Sequence, residues 1–220
     1  MPRLLFEKTG NAVWVSHLDL MRIFQRAFKR AGLPLTHTQG FNPRPSVSIA
    51  LPMSVGVSSS CELLDFDLDT QEQTDNSEIR SKLNEALIEG VRILDVYNDK
   101  KKIRDLALLR CLVELTYDNG VPVGAVQAIE DLYRQDEIIV AKKTKSGIQD
   151  QNISTMIRRI SVQQESDNKI VLDSLICCQN PTLNPMQLSL AIEKYLPDFR
   201  PSFSRCHRLE IYDLNEKVFR

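Results

Sequence analysis

The stretch PSVSIALPMSVGVSSSCELLDFDLD, residues 45–69, decides the fold class. Apolar side chains occupy every second position near its two ends: Val47, Ile49, Leu51, Leu64, Phe66 and Leu68. This period of two predicts two strands that each bury one face. The link between them, residues 52–60, is long enough for a hairpin but lacks the crossover helix that parallel strands require. The stretch therefore predicts an antiparallel pair of strands.

A strand and a helix are predicted before this pair. The segment RLLFEK, residues 3–8, is typical of a strand, and we expect AVWV, residues 12–15, to continue it after a turn. A helix begins at the S-x-x-D capping box of Ser16 and Asp19, and it ends before Gly32, a residue suited to the left-handed C-cap position. Its apolar residues recur at spacings of three and four, which predicts an amphipathic helix with a basic outer face.

A second helix and a further strand follow the pair. Asn76 or Ser77 is expected to cap this helix, Gly90 to end it, and VRILDVY, residues 91–97, to form the strand. Residues 3–97 therefore have the order strand, helix, strand, strand, helix, strand.

Much of that order recurs in the second half, without a residue repeat. Strands are predicted at 106–117, 137–143, 169–178 and 206–212, helices at 122–135 and 184–196, and an additional turn of helix or strand at 152–160. We therefore predict an α+β fold of two tandem ferredoxin-like (split βαβ) units with antiparallel sheets. Their bounds are residues 1–98 and 99–220, and the charged segment NDKKKIRD, residues 98–105, is the junction.

Charge is segregated along a chain whose net charge is only −1. Residues 1–50 carry seven basic and two acidic side chains, a net charge of +5, and residues 51–100 carry four basic and eleven acidic ones, a net charge of −7. The balanced total excludes a global field that attracts nucleic acid. The first 50 residues are instead a candidate basic surface.

Cysteine usage and the N-terminal sequence predict a cytoplasmic protein. The five cysteines are odd in number and lack C-x-x-C spacing, which favours free thiols in a reducing compartment. Adjacent side chains such as Cys206 and His207 point to opposite faces of a strand, which argues against a zinc site. The segment MPRLLFEKTG lacks the apolar core of a signal peptide, and no apolar run is long enough to span a bilayer, so we expect no membrane contact.

Two features are candidates for nucleic-acid binding, and seven residues carry them. The loop THTQGFNPRP, residues 36–45, is predicted to be stiff, because Gly40 permits a positive φ and two prolines restrict the backbone. A stiff loop holds polar side chains in fixed positions. The candidates are Gln39, Asn42 and Arg44 in the loop, and Arg22, Arg26, Lys29 and Arg30 on the helix. A solvated connector and a solvated helix face are the plain alternatives.

Residues 13–68 resemble a radical-SAM-linked bacterial domain family of unknown function, with weaker similarity at KKTKSG (142–147) and NPTLNP (180–185). The family loop usually reads S-Q-G-F-N-P-H-P-K, so QGFNP and the second proline match. Thr38, Arg44 and Ser46 depart from it. The departure at Arg44 favours binding over catalysis, because a guanidinium stays protonated at physiological pH.

The resemblance implies a radical SAM enzyme as partner and a genetic setting near RNA processing and ribosome assembly. It brings no established activity. This chain lacks three closely spaced cysteines, so we expect the iron–sulfur cluster to belong to the partner and this chain to hold no cofactor. Asp65, Asp67 and Asp69 alternate on a strand about 6.6 Å apart, too far to close on one magnesium ion, so a solvated strand face is predicted and no metal.

Three functions remain open. The first is a non-catalytic substrate-binding or adaptor module for RNA or a ribonucleoprotein that works with a radical SAM enzyme. The second is a metal-independent RNA endonuclease with His17 or His37 as general acid or base. The third is a purely protein-binding subunit that uses Trp14, Phe41 and Met53. We expect His17, His37, Asn42 and Arg44 to converge in one cleft.

Overall fold

The computed structural model describes residues 2–69, 74–99, 101–144 and 147–220, without the side chains of residues 143 and 144. These residues divide into two compact units. The first is Met1–Ile103 together with Arg220, and the second is Arg104–Phe219.

The first unit is a sheet with two helices. Its elements are β1 (Pro2–Lys8), α1 (His17–Arg30), β2 (Val47–Ala50), β3 (Ser58–Phe66), α2 (Asn76–Ala86) and β4 (Val91–Asn98). The order of strands across the sheet is β4-β1-β3-β2, and each neighbouring pair is antiparallel. The predicted hairpin is present, with Ile49 opposite Leu64 and Val47 opposite Phe66.

Aromatic side chains join α1 to this sheet. Phe24 and Phe28 of α1 are fully buried. The ring of Phe24 meets Phe6 of β1 with centroids 4.9 Å apart, and Phe28 meets Phe66 of β3 at 5.1 Å. Such pairs add to the free energy gained by apolar burial. Because this face of α1 is held in the core, its opposite face is turned to solvent.

The second unit repeats the arrangement with an insertion. Its elements are β5 (Leu106–Thr116), α3 (Ala125–Tyr133), β6 (Ile139–Thr144), β7 (Gly147–Asn152), β8 (Ile157–Ser166), β9 (Lys169–Cys177), α4 (Met186–Tyr195) and β10 (Phe203–Asp213). Four of its strands form an antiparallel sheet in the order β10-β5-β9-β8. Strands β6 and β7 pair separately as a hairpin, so the additional element predicted at 152–160 is the end of this insertion and the start of β8.

The α+β class and the antiparallel strands are confirmed, but some local predictions are wrong. AVWV does not continue β1, because Gly10 turns the chain with a φ of 54° and Gly10–Trp14 form a 3₁₀ helix. Asp75 caps α2 in place of Asn76 or Ser77, and it accepts the backbone N–H of Ser77 at 3.0 Å. Helix α2 ends at Ala86, four residues before Gly90.

The capping box of α1 is confirmed, and so is the state of the cysteines. Ser16 Oγ accepts a hydrogen bond from Asp19 N at 3.2 Å, and Gly32 has a φ of 68°. All five cysteines are buried thiols outside any disulfide. In the part of the chain that the structure describes, no helix is both long enough and apolar enough to cross a bilayer.

Tyr97 of β4 has a buried hydroxyl without a hydrogen-bond partner among the described residues. We expect Tyr97→Phe to raise the free energy of unfolding by about 1 kcal/mol, because an unsatisfied buried polar group is removed. Burial also raises the pKa of Tyr97 to about 12, so the hydroxyl ionises less readily in the folded state than in the unfolded state, and the free energy of unfolding falls as pH rises from about 10 to 12. Urea unfolding at pH 7.5 and pH 11 measures both effects.

Tyr117 provides the control for this substitution. Its hydroxyl donates to the carbonyl of Phe199 at 3.1 Å, so Tyr117→Phe removes a hydrogen bond and should reduce stability. If Tyr97→Phe destabilises the protein as Tyr117→Phe does, the Tyr97 hydroxyl has a partner and the prediction is wrong.

Candidate nucleic-acid interface

The loop that joins α1 to β2 is closed at its base by backbone hydrogen bonds. Thr36 N donates to Asp67 O at 2.9 Å, and Ser46 N donates to Thr36 O at 2.8 Å. Farther out, Thr38 N donates to Arg44 O at 2.8 Å, and Arg44 N donates to Thr38 Oγ1 at 3.0 Å. The loop therefore stands on a short ladder, in keeping with the stiffness predicted from its glycine and prolines.

Beyond this ladder the loop tip is exposed and carries an aromatic ring. Phe41 is fully exposed, and the flanking residues Gln39, Gly40 and Asn42 are exposed as well. The loop thus holds a large apolar side chain in water, above a base closed by hydrogen bonds. A ring in this position is suited to stacking on a flat partner or to entering a pocket of another molecule.

A groove separates the base of the loop from the last turns of α1. Its volume is about 440 Å³. Apolar side chains form the floor and polar ones stand around it: Phe28, Leu33, Leu35, Gln25, Lys29 and His37. The combination of an apolar floor with amide, ammonium and imidazole groups matches a planar ligand that also carries polar edges.

The four basic residues of α1 differ in how they are engaged. Arg22 Nη1 is 2.9 Å from Asp19 Oδ1, and Arg30 donates to the carbonyl of Ala86. The hydroxyl of Ser16 and the charge of Arg22 lower the pKa of Asp19, so this carboxylate stays ionised and keeps Arg22 paired.

Arg26 and Lys29 remain available on the exposed face of α1. Within the described ranges, their side chains make no ion pair or hydrogen bond. Residues four and three apart lie on one side of a helix, so Arg22, Arg26 and Lys29 share a face, and Lys29 also lies at the groove. Two of the basic residues counted in the first block, Arg3 and Lys8, are buried and contribute nothing to this surface.

The expected convergence of four side chains in one cleft is wrong. His37 lines the groove at the C-terminal end of α1, whereas His17 is the first residue of that helix and lines a different cavity. A 14-residue helix is about 20 Å long, so its two ends cannot contribute to a single small site. Asn42 and Arg44 stay with His37, on the same loop.

His17 has charged neighbours that sequence reasoning missed. Its cavity is also lined by Lys8 of β1 and Glu62 of β3, both buried, and its Nδ1 has no hydrogen-bond partner in the described part of the chain. The cavity volume is about 10 Å³, enough for one water molecule and far too small for a nucleotide. In the sequence, the only indication of this cluster is that β1 and β3 each carry a charged residue at a position that faces the core.

The aspartate row of β3 is not uniformly solvated. Asp67 and Asp69 are exposed, but Asp65 is half-buried and bonds Arg3 through both carboxylate oxygens, at 2.6 and 3.1 Å. Among the described residues, no three His, Cys, Asp or Glu side chains are grouped closely enough to hold a metal ion. The KKTKSG segment lies partly outside the described residues, and its Lys142 donates to the carbonyl of Thr182 at 3.1 Å.

Together these features define an α+β protein with an exposed aromatic loop beside a basic helix face. The chain belongs to the family described as "Uncharacterized protein conserved in bacteria (DUF2344)", whose model matches residues 2–185. This description names no radical SAM enzyme, so that partnership remains a proposal. No curated protein matches the sequence.

The solved structures that match the chain include two with low sequence identity. A chain in the crystal structure of a Cbf5-Nop10-Gar1 complex has a TM-score of 0.52 at 8% identity, over 96% of this chain and 48% of that one. This protein thus spans about half the length of that chain, and the likeness concerns the fold alone. An unknown protein from Galdieria sulphuraria has 11% identity, 94% and 95% coverage and a TM-score of 0.26, too low to support an argument.

Proposed function

We propose that this protein is a non-catalytic substrate-binding module that holds single-stranded RNA, or an exposed single-stranded part of a ribonucleoprotein. The observation that carries the proposal is the fully exposed Phe41 on a loop closed by hydrogen bonds, with Arg26 and Lys29 exposed on the helix that precedes this loop. RNA is read mainly in single-stranded regions, where unstacked bases pack on aromatic side chains.

Each feature of the surface has a role in this proposal. Phe41 stacks on one base, a contact that tolerates any sequence because every base has a flat face. Arg26, Lys29 and Arg44 neutralise phosphates, and the groove with Gln25 and His37 accepts a neighbouring base by its polar edge. The net charge of −1 means that this affinity depends on local contacts and not on long-range attraction.

We further infer that each unit is ferredoxin-like. In both units the fourth, first, third and second strands of the main sheet are neighbours in that order and are antiparallel, which supports this topology. In the second unit the β6–β7 hairpin is counted as an insertion between the first helix and the second main strand. The helices then lie on one face of each sheet.

A radical SAM enzyme is the partner we propose for this module. The support is the similarity of the QGFNP loop to the radical-SAM-linked family. The iron–sulfur cluster would belong to the partner, because this chain has no set of three closely spaced cysteines to bind it. In this arrangement the partner performs the chemistry and the present protein presents the RNA. Copurification of the two proteins with bound RNA is the direct observation to seek.

The binding surface is tested with a fluorescent 12-nucleotide single-stranded RNA, by anisotropy over a range of salt concentrations. We expect Phe41→Ala to weaken binding about tenfold, because one stacked base is lost. Arg26→Ala, Lys29→Ala and Arg44→Ala should each reduce the slope of log affinity against log salt by about 0.7. Phe41→Ala should leave that slope unchanged, since it removes no charge.

Val123→Ala is the matched control, because Val123 is a fully exposed apolar residue of the second unit. It should bind as the parent does. If the loop and helix variants also bind as the parent does, or if the parent binds no RNA at low salt, the module does not recognise RNA. Cleavage of the RNA by the parent that is lost in His17→Gln or His37→Gln would establish the endonuclease instead.

A further inference from the structure

The second unit has a polar groove of its own on one face of its sheet. The groove has a volume of about 490 Å³. Its lining comes from all four strands of the main sheet: Arg110, Arg159, Ser161, Asp173, Leu175 and Tyr212. None of these residues belongs to the loop and helix surface of the first unit.

Strand register places the groove residues on one face. Arg110 of β5 lies opposite Leu175 of β9, which in turn lies next to Arg159 of β8 in the paired register. In the adjacent row, Asp173 of β9 lies opposite Ser161 of β8. Directly opposed residues of an antiparallel pair point to the same side of the sheet, so two guanidinium groups stand above a floor formed by the buried Leu175.

Asp173 holds the guanidinium of Arg110 in a fixed plane. Arg110 Nε donates to Asp173 Oδ1 at 2.9 Å, and Nη2 donates to Oδ2 at 2.5 Å. This two-point hydrogen bond also raises the pKa of Arg110. The Arg110 side chain is 48% exposed and lines the groove, so part of this planar cation is open to a ligand. Such a plane is a stacking platform for a nucleobase.

Arg159 and Tyr212 supply the other contacts. Arg159 Nη1 is 2.7 Å from Glu216 Oε2, but its side chain is 69% exposed, and an exposed pair of this kind is easily exchanged. Arg159 can therefore leave Glu216 and pair with a phosphate instead. Tyr212 of β10 lies opposite Leu108 of β5, two residues before Arg110, and so adds an aromatic ring to the same face.

We propose that this groove is a second nucleotide-binding subsite. A base stacks on the Arg110 plane beside Tyr212, and its phosphate contacts Arg159. The ligand is a nucleotide of single-stranded RNA. This choice of ligand rests on the proposed function, but the groove and its residues are separate from the loop and helix surface of the first unit.

The test is a titration of the ¹⁵N-labelled full chain with adenosine monophosphate, adenosine and inorganic phosphate, observed at the arginine Nε–H signals. We expect adenosine monophosphate and adenosine to shift the Arg110 signal, and phosphate alone to leave it in place. Arg110→Lys keeps the charge but loses the plane, so its affinity for adenosine monophosphate should fall about tenfold. Arg158→Lys is the control, since Arg158 is exposed on the same strand as Arg159 but outside the groove, and its replacement should change nothing.

Each outcome decides the proposal. An unshifted Arg110 signal, or an equal shift with phosphate alone, overturns it, and so does an acidic peptide that shifts Arg110 where nucleotides do not. The unsubstituted chain alone gives this readout if Arg110→Lys fails to fold. The shift should persist in Phe41→Ala, so the failure of the first surface and the failure of this groove are seen separately.

Discussion

Replacing Arg3 by methionine is expected to lower the free energy of unfolding by about 3–5 kcal/mol. The Arg3 side chain is 3% exposed. It pairs with Asp65 of β3 and with Asp99 after β4, and it donates to the carbonyl of Lys101 at 3.1 Å. One guanidinium therefore ties β1 to β3 and to the segment that follows β4. Methionine fills a similar volume but leaves two carboxylates without their cation.

The pKa of Arg3 agrees with this role. Burial alone lowers it, but the hydrogen bond to Asp65 and the charges of Asp65 and Asp99 together outweigh burial, so the pKa is raised and the group stays charged. Urea unfolding followed by circular dichroism measures the loss. Arg22→Met is the matched control, because Arg22 and its partner Asp19 are both largely exposed, and it should leave the midpoint unchanged.

A further variant separates charge from packing. In Arg3→Met with Asp65→Asn and Asp99→Asn, the uncompensated charges are gone, and much of the lost stability should return. A loss below about 1 kcal/mol for Arg3→Met alone would contradict the prediction, since that is the size expected of an exposed ion pair.

Replacing Gly90 by alanine is expected to cost about 3 kcal/mol, from a strained backbone and from steric overlap. Gly90 has a φ of 83°, where a side chain is disfavoured. An added Cβ would lie 2.4 Å from the carbonyl oxygen of Thr9 and 2.9 Å from Ala12 Cβ, so the backbone must move. Thr9 N donates to Gly90 O at 2.8 Å, and that movement also disturbs this bond.

Gly32→Ala distinguishes the two parts of this cost. Gly32 also has a positive φ, 68°, but beyond its chain neighbours no atom lies within 4 Å of the position that an alanine Cβ would take. Gly32→Ala should therefore lower the free energy of unfolding only through its strained backbone, by about 1 kcal/mol. Thermal unfolding of both variants measures the difference. Equal losses of stability in the two variants would mean that the Thr9 segment moves aside without cost. The predicted steric overlap would then contribute nothing to the loss.

Replacing Gly90 is also expected to affect the proposed binding surface. The Thr9 segment leads through the 3₁₀ helix Gly10–Trp14 to Ser16, which caps α1. A displaced segment alters how α1 enters the fold, and α1 carries Arg26 and Lys29. The RNA affinity of Gly90→Ala therefore reports whether the position of this helix matters.

Features set by neighbouring residues were predictable from the sequence. The capping box of Ser16 and Asp19, the left-handed Gly32 and the alternation of β2 and β3 each depend on residues a few positions apart. The closure of the loop between Thr38 and Arg44 is equally local. Such signals determined the α+β class and the hairpin, because short-range backbone preferences do not require distant partners. The stiffness of the loop stays a prediction.

Tertiary structure alone decided which charges are buried and which side chains meet. Nothing in the residues around Arg3 marks it as buried, and its partners lie on β3 and on the segment after β4, 62 and 96 residues away. The meeting of His17 with Lys8 and Glu62, and that of Arg110 with Asp173, 63 residues apart, arise in the same way. The physical reason is that a charged residue in a strand has the same local propensity in either setting, while its partner is chosen by strand register between segments distant in the chain.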